Sequence, residues 1–287
     1  MAHFHLIDGG LSTELQRIGA NVEGELWTGR ALLDDPAKVL EAHREFALAG
    51  AEVVISASYQ LSRKGFEEIG LTAEEADQAL VNSIAVARAA VEGTDAKVAA
   101  SVGPYGAVLH DGSEYRGDYE VTQEQLQAFH AERLAVLIEA GPDLLAIETI
   151  PNVVEAKALA EVLKTVSLPK WISFTAGTED SLWSGEPIGE AVAAIAELPN
   201  LVAVGVNCVD PANVVGLVGH IKNVTDAPIV VYPNRGGTWD SAAGVWIGEK
   251  PKTLNEWLPE WLEAGVSYVG GCCGTDSNDI RALAAAR

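Results

Sequence analysis

The chain has 287 residues, 48% of them hydrophobic, so it is long enough for one large α/β barrel or for two smaller domains. Its formal charge of −22 at pH 7 argues against nucleic acid or an anionic membrane as a partner, because both would repel an acidic protein. No apolar run approaches the roughly 20 residues of a membrane span, and the N-terminus lacks the pattern of a signal peptide. We therefore expect a cytoplasmic protein; the composition carries no prediction of its oligomeric state.

Short apolar runs alternate with helical segments along the whole chain. Eight of these runs are predicted strands, in chain order FHLIDGG, AEVVISASYQ, KVAASVGPYG, DLLAIET, KWISFTAG, LVAVGVNC, APIVVYPN and SYVGGCC. The clearest helix starts are Pro36 in a first turn and the capping-box pairs Thr72/Glu75 and Thr122/Gln125. Loops are predicted around Trp27, over residues 110–119 and around Trp239 and Trp246. The 110–119 loop could be a lid or a plain solvated loop.

Eight strand–helix units predict a single (β/α)8 TIM-type barrel that occupies residues 1–287 as one domain. The strands are continuous Val, Ile and Ala runs, which is typical of strands buried on both faces. A doubly wound sheet is the alternative, but it has fewer strands and needs a glycine-rich phosphate turn after the first one. The DGGLSTEL segment does not match GxGxxG.

Catalytic groups of such barrels lie at the C-terminal ends of the strands. The predicted first strand ends at Asp8 and the fourth at Glu148, while Tyr59 follows the second. Cys208 follows the sixth strand, and Cys272 and Cys273 end the eighth. We expect all of these side chains to face one mouth.

The chain has three cysteines, and all of them stand at predicted strand ends. They cannot form a fully paired disulfide framework, and a bridge between the adjacent Cys272 and Cys273 would be strained, which favours a reducing compartment. Three thiolates with a fourth position open are typical of a catalytic zinc site, and soft sulfur ligands disfavour Mg²⁺ or Ca²⁺. The alternative is that these cysteines are small buried hydrophobic residues. A thiolate-rich zinc site suits a substrate thiol, which predicts methyl or alkyl transfer to sulfur.

Three motifs resemble the homocysteine S-methyltransferases: DGGLSTEL near the start, GVNC, and GGCCGT near the end. The segments ASYQ, SVGPYGA, DGSEYRGDY, ETIPN and VVYPN are similar to the branch of that family that uses S-methylmethionine as methyl donor. The resemblance covers essentially the whole chain. It implies a zinc-bearing barrel whose catalytic metal is held by Cys208, Cys272 and Cys273.

The same resemblance implies that Asp8 and the backbone at Gly9 hold the amino-acid end of homocysteine and that Glu148 pairs with its ammonium group. The alternatives are a turn or helix cap for Asp8 and an internal ion pair for Glu148. Trp27 and Tyr59 would lie on the methyl-donor side, where aromatic faces receive a sulfonium or quaternary ammonium, or would only pack under a loop.

Three further residues stand next to these strand ends. Tyr232 and Asn234 end the seventh strand and could line the site, and Asn207 could brace Cys208.

The predicted reaction is zinc-dependent formation of methionine from homocysteine and a sulfonium donor, with S-methylmethionine as the expected donor. S-adenosylmethionine, betaine or a thetin would be alternative donors. A non-catalytic barrel that binds zinc or an amino acid is the alternative from another class. A zinc hydrolase would need a histidine-rich site with a general base, and the sequence offers neither.

Overall fold

A computed structural model describes residues 3–22, 26, 28–236, 238–240, 245–247 and 252–287. Its strands are, in chain order, β1 (His5–Leu6), β2 (Val53–Ile55), β3 (Lys97–Val102), β4 (Leu144–Ile150), β5 (Lys170–Phe174), β6 (Leu201–Asn207), β7 (Ile229–Tyr232), β8 (Thr238–Asp240), β9 (Val245–Ile247) and β10 (Val266–Val269). The strands β8 and β9 form an antiparallel hairpin. The other eight form one parallel sheet.

The parallel sheet closes into a barrel. Its strand order is β1-β10-β7-β6-β5-β4-β3-β2, and a parallel bridge between Ile7 and Val53 joins the first strand to the last. The predicted (β/α)8 barrel is confirmed, because a doubly wound sheet would leave two open edges.

The helices alternate with these strands and surround the barrel. They are α1 (Leu11–Arg17), α2 (Thr28–Asp34), α3 (Pro36–Leu48), α4 (Arg63–Glu68), α5 (Ala73–Val91), α6 (Gln123–Glu139), α7 (Val153–Leu163), α8 (Ile188–Ile195), α9 (Val214–Lys222), α10 (Leu254–Glu263) and α11 (Ser277–Ala284). Among the described helices, none combines the length and the apolar character needed to cross a membrane.

The predicted helix starts are confirmed. The Thr72 hydroxyl accepts a hydrogen bond from the Glu75 N–H at 3.2 Å, and the Glu75 carboxylate accepts one from the Thr72 N–H at 2.7 Å. Thr122 and Gln125 form the same reciprocal pair at the start of α6. These bonds satisfy N–H groups that a helix start otherwise leaves unpaired.

The region after β1 differs from the prediction of a loop, since it contains α1 and α2. The short helix α1 depends on distant contacts: the buried Glu14 carboxylate accepts hydrogen bonds from the N–H and the hydroxyl of Ser277 at 2.9 and 3.2 Å. A local pattern could not reveal a partner 263 positions away. The segment around Trp239 and Trp246, predicted as a loop, is likewise the β8–β9 hairpin.

The barrel interior changes character along the strands. Its lower layers are apolar, with Ile7, Val53, Ala99, Ala146, Trp171, Ala203 and Val230 packed in one cluster. Closer to the C-terminal end, the inward positions of five neighbouring strands are polar: Ser101, Glu148, Ser173, Asn207 and Tyr232. They lie two residues beyond the apolar cluster, except in β6, where Gly205 intervenes and Asn207 lies four residues beyond Ala203. Inward positions repeat every second residue of a strand, so this polar layer forms a floor beneath the barrel mouth.

The buried His43 does not line the barrel mouth. His43 of α3 is fully buried, and neither of its ring nitrogens has a hydrogen-bond partner in the described part of the chain. Burial lowers the pKa of this imidazole from 6.5 to about 4, because the apolar surroundings disfavour the charged form.

His43 should therefore make the fold sensitive to acid. The neutral ring is compatible with the folded state, and the stability that depends on it should be lost as pH falls from 6.5 through about 4. The two pKa values correspond to about 3 kcal/mol. Urea unfolding between pH 7 and 4 should give a flatter pH dependence for His43→Leu than for the parent. A His220→Gln control at an exposed position should keep the parent slope, and an equally steep His43→Leu curve would refute this assignment.

Candidate metal centre and active site

A cavity opens at the C-terminal ends of the barrel strands. Its empty volume, counted out to the open mouth, is about 680 Å³. Nine residues singled out from the sequence line it: Asp8, Gly9, Tyr59, Glu148, Asn207, Cys208, Tyr232, Cys272 and Cys273. Asn234 is not among the lining residues, and Trp27 lies outside the described residues.

The three cysteine sulfurs meet at one side of this cavity. The Sγ atoms of Cys208 and Cys273 are 3.7 Å apart, those of Cys208 and Cys272 are 2.6 Å apart, and all three lie within 4.8 Å of one another. Sulfurs placed tetrahedrally at about 2.3 Å from zinc would be about 3.8 Å apart. The first separation already has this value. The second is about 1 Å shorter, so the Cys208 and Cys272 sulfurs would have to move apart to bind one ion.

Backbone contacts bring the cysteines together from two strands. Cys208 follows β6 with a φ of +51°, and its N–H donates to the Tyr232 carbonyl at 3.2 Å. The N–H of Cys272 donates to the Pro233 carbonyl at 2.8 Å. A Cβ atom at Gly10 would lie 2.3 Å from the Cys272 carbonyl oxygen, so only glycine lets α1 approach this turn.

The charge balance of the cluster favours a cation. Hydrogen bonding to the sulfurs of Cys208 and Cys273, together with burial, raises the pKa of the Cys272 thiol well above its usual value. Ionising several clustered thiols is costly unless a positive charge lies among them. The donor set is entirely sulfur and free of disulfides, so it fits a soft divalent metal such as zinc rather than Mg²⁺ or Ca²⁺.

Asp8 and Glu148 contribute two carboxyl groups to the lining of the cavity. The strand β1 ends before Asp8, which was predicted to close it, and the Asp8 carboxylate accepts a hydrogen bond from the Ile55 N–H at 2.7 Å. Glu148 lies inside β4 rather than at its end and accepts a hydrogen bond from the Ser101 hydroxyl. Burial raises the pKa of Asp8 well above its usual value and that of Glu148 to about 7.

Neither a helix cap by Asp8 nor an ion pair of Glu148 is found within the described structure. Gly10 is the N-cap of α1 and makes no side-chain capping bond, so Asp8 does not cap that helix. The ion pairs found within the described ranges do not include Glu148. Two buried carboxyl groups beside one cavity are chemically suited to a cationic group.

Asn207, which precedes Cys208, is hydrogen-bonded to Thr149, which follows Glu148. Its amide oxygen accepts hydrogen bonds from the Thr149 N–H at 2.8 Å and the Ser173 hydroxyl at 2.7 Å, and its amide nitrogen donates to the Thr149 hydroxyl at 2.7 Å. Thr149 has a φ of +64°, which is strained for a β-branched residue. The amide thus holds a strained backbone between Glu148 and the next strand, at a position adjacent to Cys208.

Two tyrosines approach the cavity from above. Tyr59 is half-buried and lines the cavity, and its buried hydroxyl has no partner among the described residues. The Tyr115 hydroxyl donates toward the Cys208 sulfur at 3.5 Å.

The sequence did not single out Tyr115, although an aromatic residue within the polar segment DGSEYRGDY was the available signal. Ser113 and Glu114 in this segment are buried, so it is not a plain solvated loop.

Known proteins share both the sequence and the fold. A family model described as homocysteine S-methyltransferase matches residues 5–287. A homocysteine S-methyltransferase from Escherichia coli (strain K12) is 41% identical over 291 residues, which cover 98% of this chain and 94% of that protein. Homocysteine S-methyltransferase 4 from Zea mays is 42% identical over 302 residues, covering 98% of this chain and 88% of that protein.

A solved structure agrees with this relationship. The metallated form of the homocysteine methyltransferase MmuM from Escherichia coli superposes with a TM-score of 0.89 at 40% identity, covering 99% of this chain and 96% of that one. The match extends over the whole barrel and both parts of the cysteine cluster. The chain therefore belongs to the homocysteine S-methyltransferase family and is a methyltransferase.

Proposed function

We propose that this enzyme is zinc-dependent and forms methionine by transferring a methyl group from a sulfonium donor, S-methylmethionine, to homocysteine. The observation that carries the proposal is the convergence of three thiols and two buried carboxyl groups on one cavity. The first group suits a soft metal and a substrate thiol, and the second suits an ammonium group.

Cys208, Cys272 and Cys273 would hold the zinc ion. Zinc held by these three thiolates would supply the positive charge that keeps a substrate thiol in its nucleophilic thiolate form at neutral pH. The Tyr115 hydroxyl, 3.5 Å from the Cys208 sulfur, borders the same side of the cavity.

Asp8, Gly9 and Glu148 would orient homocysteine. The carboxylates of Asp8 and Glu148 complement the ammonium group, and the backbone at Gly9 offers an N–H to the carboxylate. Binding at this end would direct the homocysteine sulfur toward the cysteine cluster that lines the same cavity.

The donor would enter beside the tyrosines. Tyr59 and Tyr115 present aromatic surface to the cavity, and Trp27 would add to it. Aromatic faces attract a sulfonium as they attract other cations. The homocysteine sulfur attacks the donor methyl carbon, and the electron pair of the broken C–S bond remains on the donor sulfur. The leaving thioether is neutral, so alignment of the two substrates suffices and the site needs no general acid.

A donor panel tests this proposal. Zinc-loaded protein and homocysteine would be combined with S-methylmethionine, S-adenosylmethionine, betaine or dimethylthetin, and methionine would be measured. We expect the highest kcat/KM with S-methylmethionine. Faster turnover with another donor would reassign the donor, whereas binding of homocysteine without turnover of any donor would support a non-catalytic barrel.

Asn207→Ala should impair the metal centre without removing a ligand. The variant frees the strained Thr149 backbone, so we expect zinc affinity and kcat/KM to fall by about 10- to 100-fold, as for other residues that orient metal ligands. Competition with a chromogenic chelator measures the affinity, and the exposed Asn223→Ala serves as the control. Unchanged zinc affinity in Asn207→Ala would contradict the bracing role.

We also propose that residues 1–287 act as one barrel domain in a reducing, cytoplasmic environment. Three free cysteines that must remain thiols to bind a metal would be oxidised elsewhere.

A further inference from the structure

The segment Tyr105–Tyr119, here called the covering segment, follows β3 and passes over the cavity. Both of its ends bind the same carboxylate. The Tyr105 N–H donates to Oε1 of Glu155 at 2.7 Å, and the Tyr119 hydroxyl donates to Oε2 of Glu155. Glu155 lies in the first turn of α7 and is completely buried.

Other residues hold Glu155 itself in place. Its N–H donates to the Asn152 side chain at 2.8 Å, and the Asn152 amide donates to the Gly117 carbonyl in the covering segment at 3.1 Å. The His130 ring nitrogen Nε2 lies 2.7 Å from Oε1 of Glu155. These contacts, which come from α6 and from the start of α7, fix the position of the Glu155 carboxylate. The carboxylate is therefore a rigid anchor for the covering segment.

A buried cation balances this charge. Arg133 of α6 is 1% exposed, and its guanidinium donates to the Gly103 carbonyl and, at 3.5 Å, to the Tyr59 carbonyl. The Glu155 carboxylate favours the charged form of this guanidinium, although burial lowers the Arg133 pKa to about 10. The cluster of Glu155, His130 and Arg133 therefore supports both backbone stretches that carry the tyrosines of the cavity.

The covering segment carries Tyr115 to the cysteine cluster. Glu155 does not line the cavity, whereas Tyr115 does and places its hydroxyl 3.5 Å from the Cys208 sulfur. Between the two anchored ends, the 3₁₀ turn Ser113–Tyr115 is buried at Ser113 and Glu114. A loss of either anchor would therefore displace Tyr115 without a substitution at any residue that lines the cavity.

We propose that Glu155 is a positioning residue for methyl transfer, acting through the covering segment to hold Tyr115 against the metal centre. The inference rests on the proposed function, since it takes Cys208 as a metal ligand. The mildest test is Tyr119→Phe, which removes one hydroxyl from Glu155 and keeps the ring. Glu155→Gln removes the charge and keeps the shape. Asp118→Asn is the matched control, because Asp118 is exposed in the same segment and pairs only with Arg116 in the described structure.

We expect Tyr119→Phe and Glu155→Gln each to lower kcat/KM by about tenfold or more, as for the loss of a buried hydrogen bond to a charged group. Zinc content should remain at the parent value. Asp118→Asn should stay within about twofold of the parent enzyme. Trypsin should cleave after Arg116 faster in the first two variants, which reports release of the covering segment independently of activity.

A double-mutant cycle separates positioning from general loss of stability. If Glu155 acts through Tyr115, then Tyr119→Phe should change kcat/KM less than about twofold in a Tyr115→Phe background. A tenfold loss that persists in that background would overturn the proposal, as would parent activity in Tyr119→Phe. If Glu155→Gln fails to fold, the cycle of Tyr119→Phe with Tyr115→Phe tests the positioning role on its own.

The two proposals fail in different ways. Parent activity in Cys272→Ala would refute the proposed metal centre, whereas an inactive Cys272→Ala with a fully active Tyr119→Phe would refute only the role of Glu155.

Discussion

The Cys272→Ala variant is expected to lose tightly bound zinc and to lower kcat/KM for methyl transfer by at least about a hundredfold. Residues that merely orient metal ligands affect affinity or activity by about 10- to 100-fold, so removal of a ligand should exceed that effect. The two remaining thiols at Cys208 and Cys273 would leave the metal without its third protein ligand. Zinc per chain and initial rates would be measured on the same preparation.

Asn278→Ala provides the control for this experiment. It lies five positions after Cys273 on the exposed face of α11 and should keep both zinc and activity. The Cys272→Ala chain should retain its barrel, because this half-buried side chain adds little to the core. Circular dichroism would verify the fold. A folded Cys272→Ala protein with parent activity would refute the metal centre.

The Glu148→Gln variant is expected to weaken binding of homocysteine and methionine by about 10- to 100-fold, which corresponds to a lost hydrogen bond to a charged group. Glu148 is buried, and its carboxylate has no cationic partner within the described structure until an ammonium group arrives. Methionine carries the same ammonium group, so its binding should depend on this carboxylate as well. Calorimetric titration with methionine therefore measures the effect without a contribution from binding of a thiol to the metal. Glu190→Gln, exposed on α8, is the matched control.

The affinity for methionine should also depend on pH. Burial raises the Glu148 pKa to about 7, so below that pH the carboxyl is protonated in the free enzyme and must lose its proton to bind an ammonium group. Affinity should therefore fall with decreasing pH, by up to about tenfold per pH unit, and Glu148→Gln should flatten this dependence. A parent affinity that is constant between pH 8 and 6 would contradict the pairing.

The eight strands and their common mouth could be predicted because buried parallel strands have a distinctive composition and a known polarity. The rule that the C-terminal ends of barrel strands face one mouth was enough to predict that Cys208, Cys272 and Cys273 lie close together, although 64 positions separate the first two. The predicted end of the fourth strand at Glu148 was two residues too early. Its strand continues to Ile150 through the positive φ of Thr149, a conformation that no residue type in ETI signals.

The residues that the sequence did not reveal act through tertiary contacts. Tyr115 lies in a polar segment whose position depends on anchors elsewhere, and the carboxylate of Glu155 resembles any acidic residue in a first helical turn. Its burial depends on Tyr105, Tyr119 and His130, which come from two other parts of the chain. Periodicity predicts which face of a helix is buried, but it carries no information about which distant groups meet there.

The most direct test of the central claim is proton release on homocysteine binding. Zinc-loaded enzyme would be titrated with homocysteine and, separately, with methionine at pH 7 in two buffers of different ionisation enthalpy. A free thiol, with a pKa of about 8.5, is mostly protonated at this pH. We predict that homocysteine releases about one more proton than methionine, because its sulfur binds as the thiolate, and that Cys272→Ala abolishes the difference. Equal proton release by the two amino acids would contradict the account.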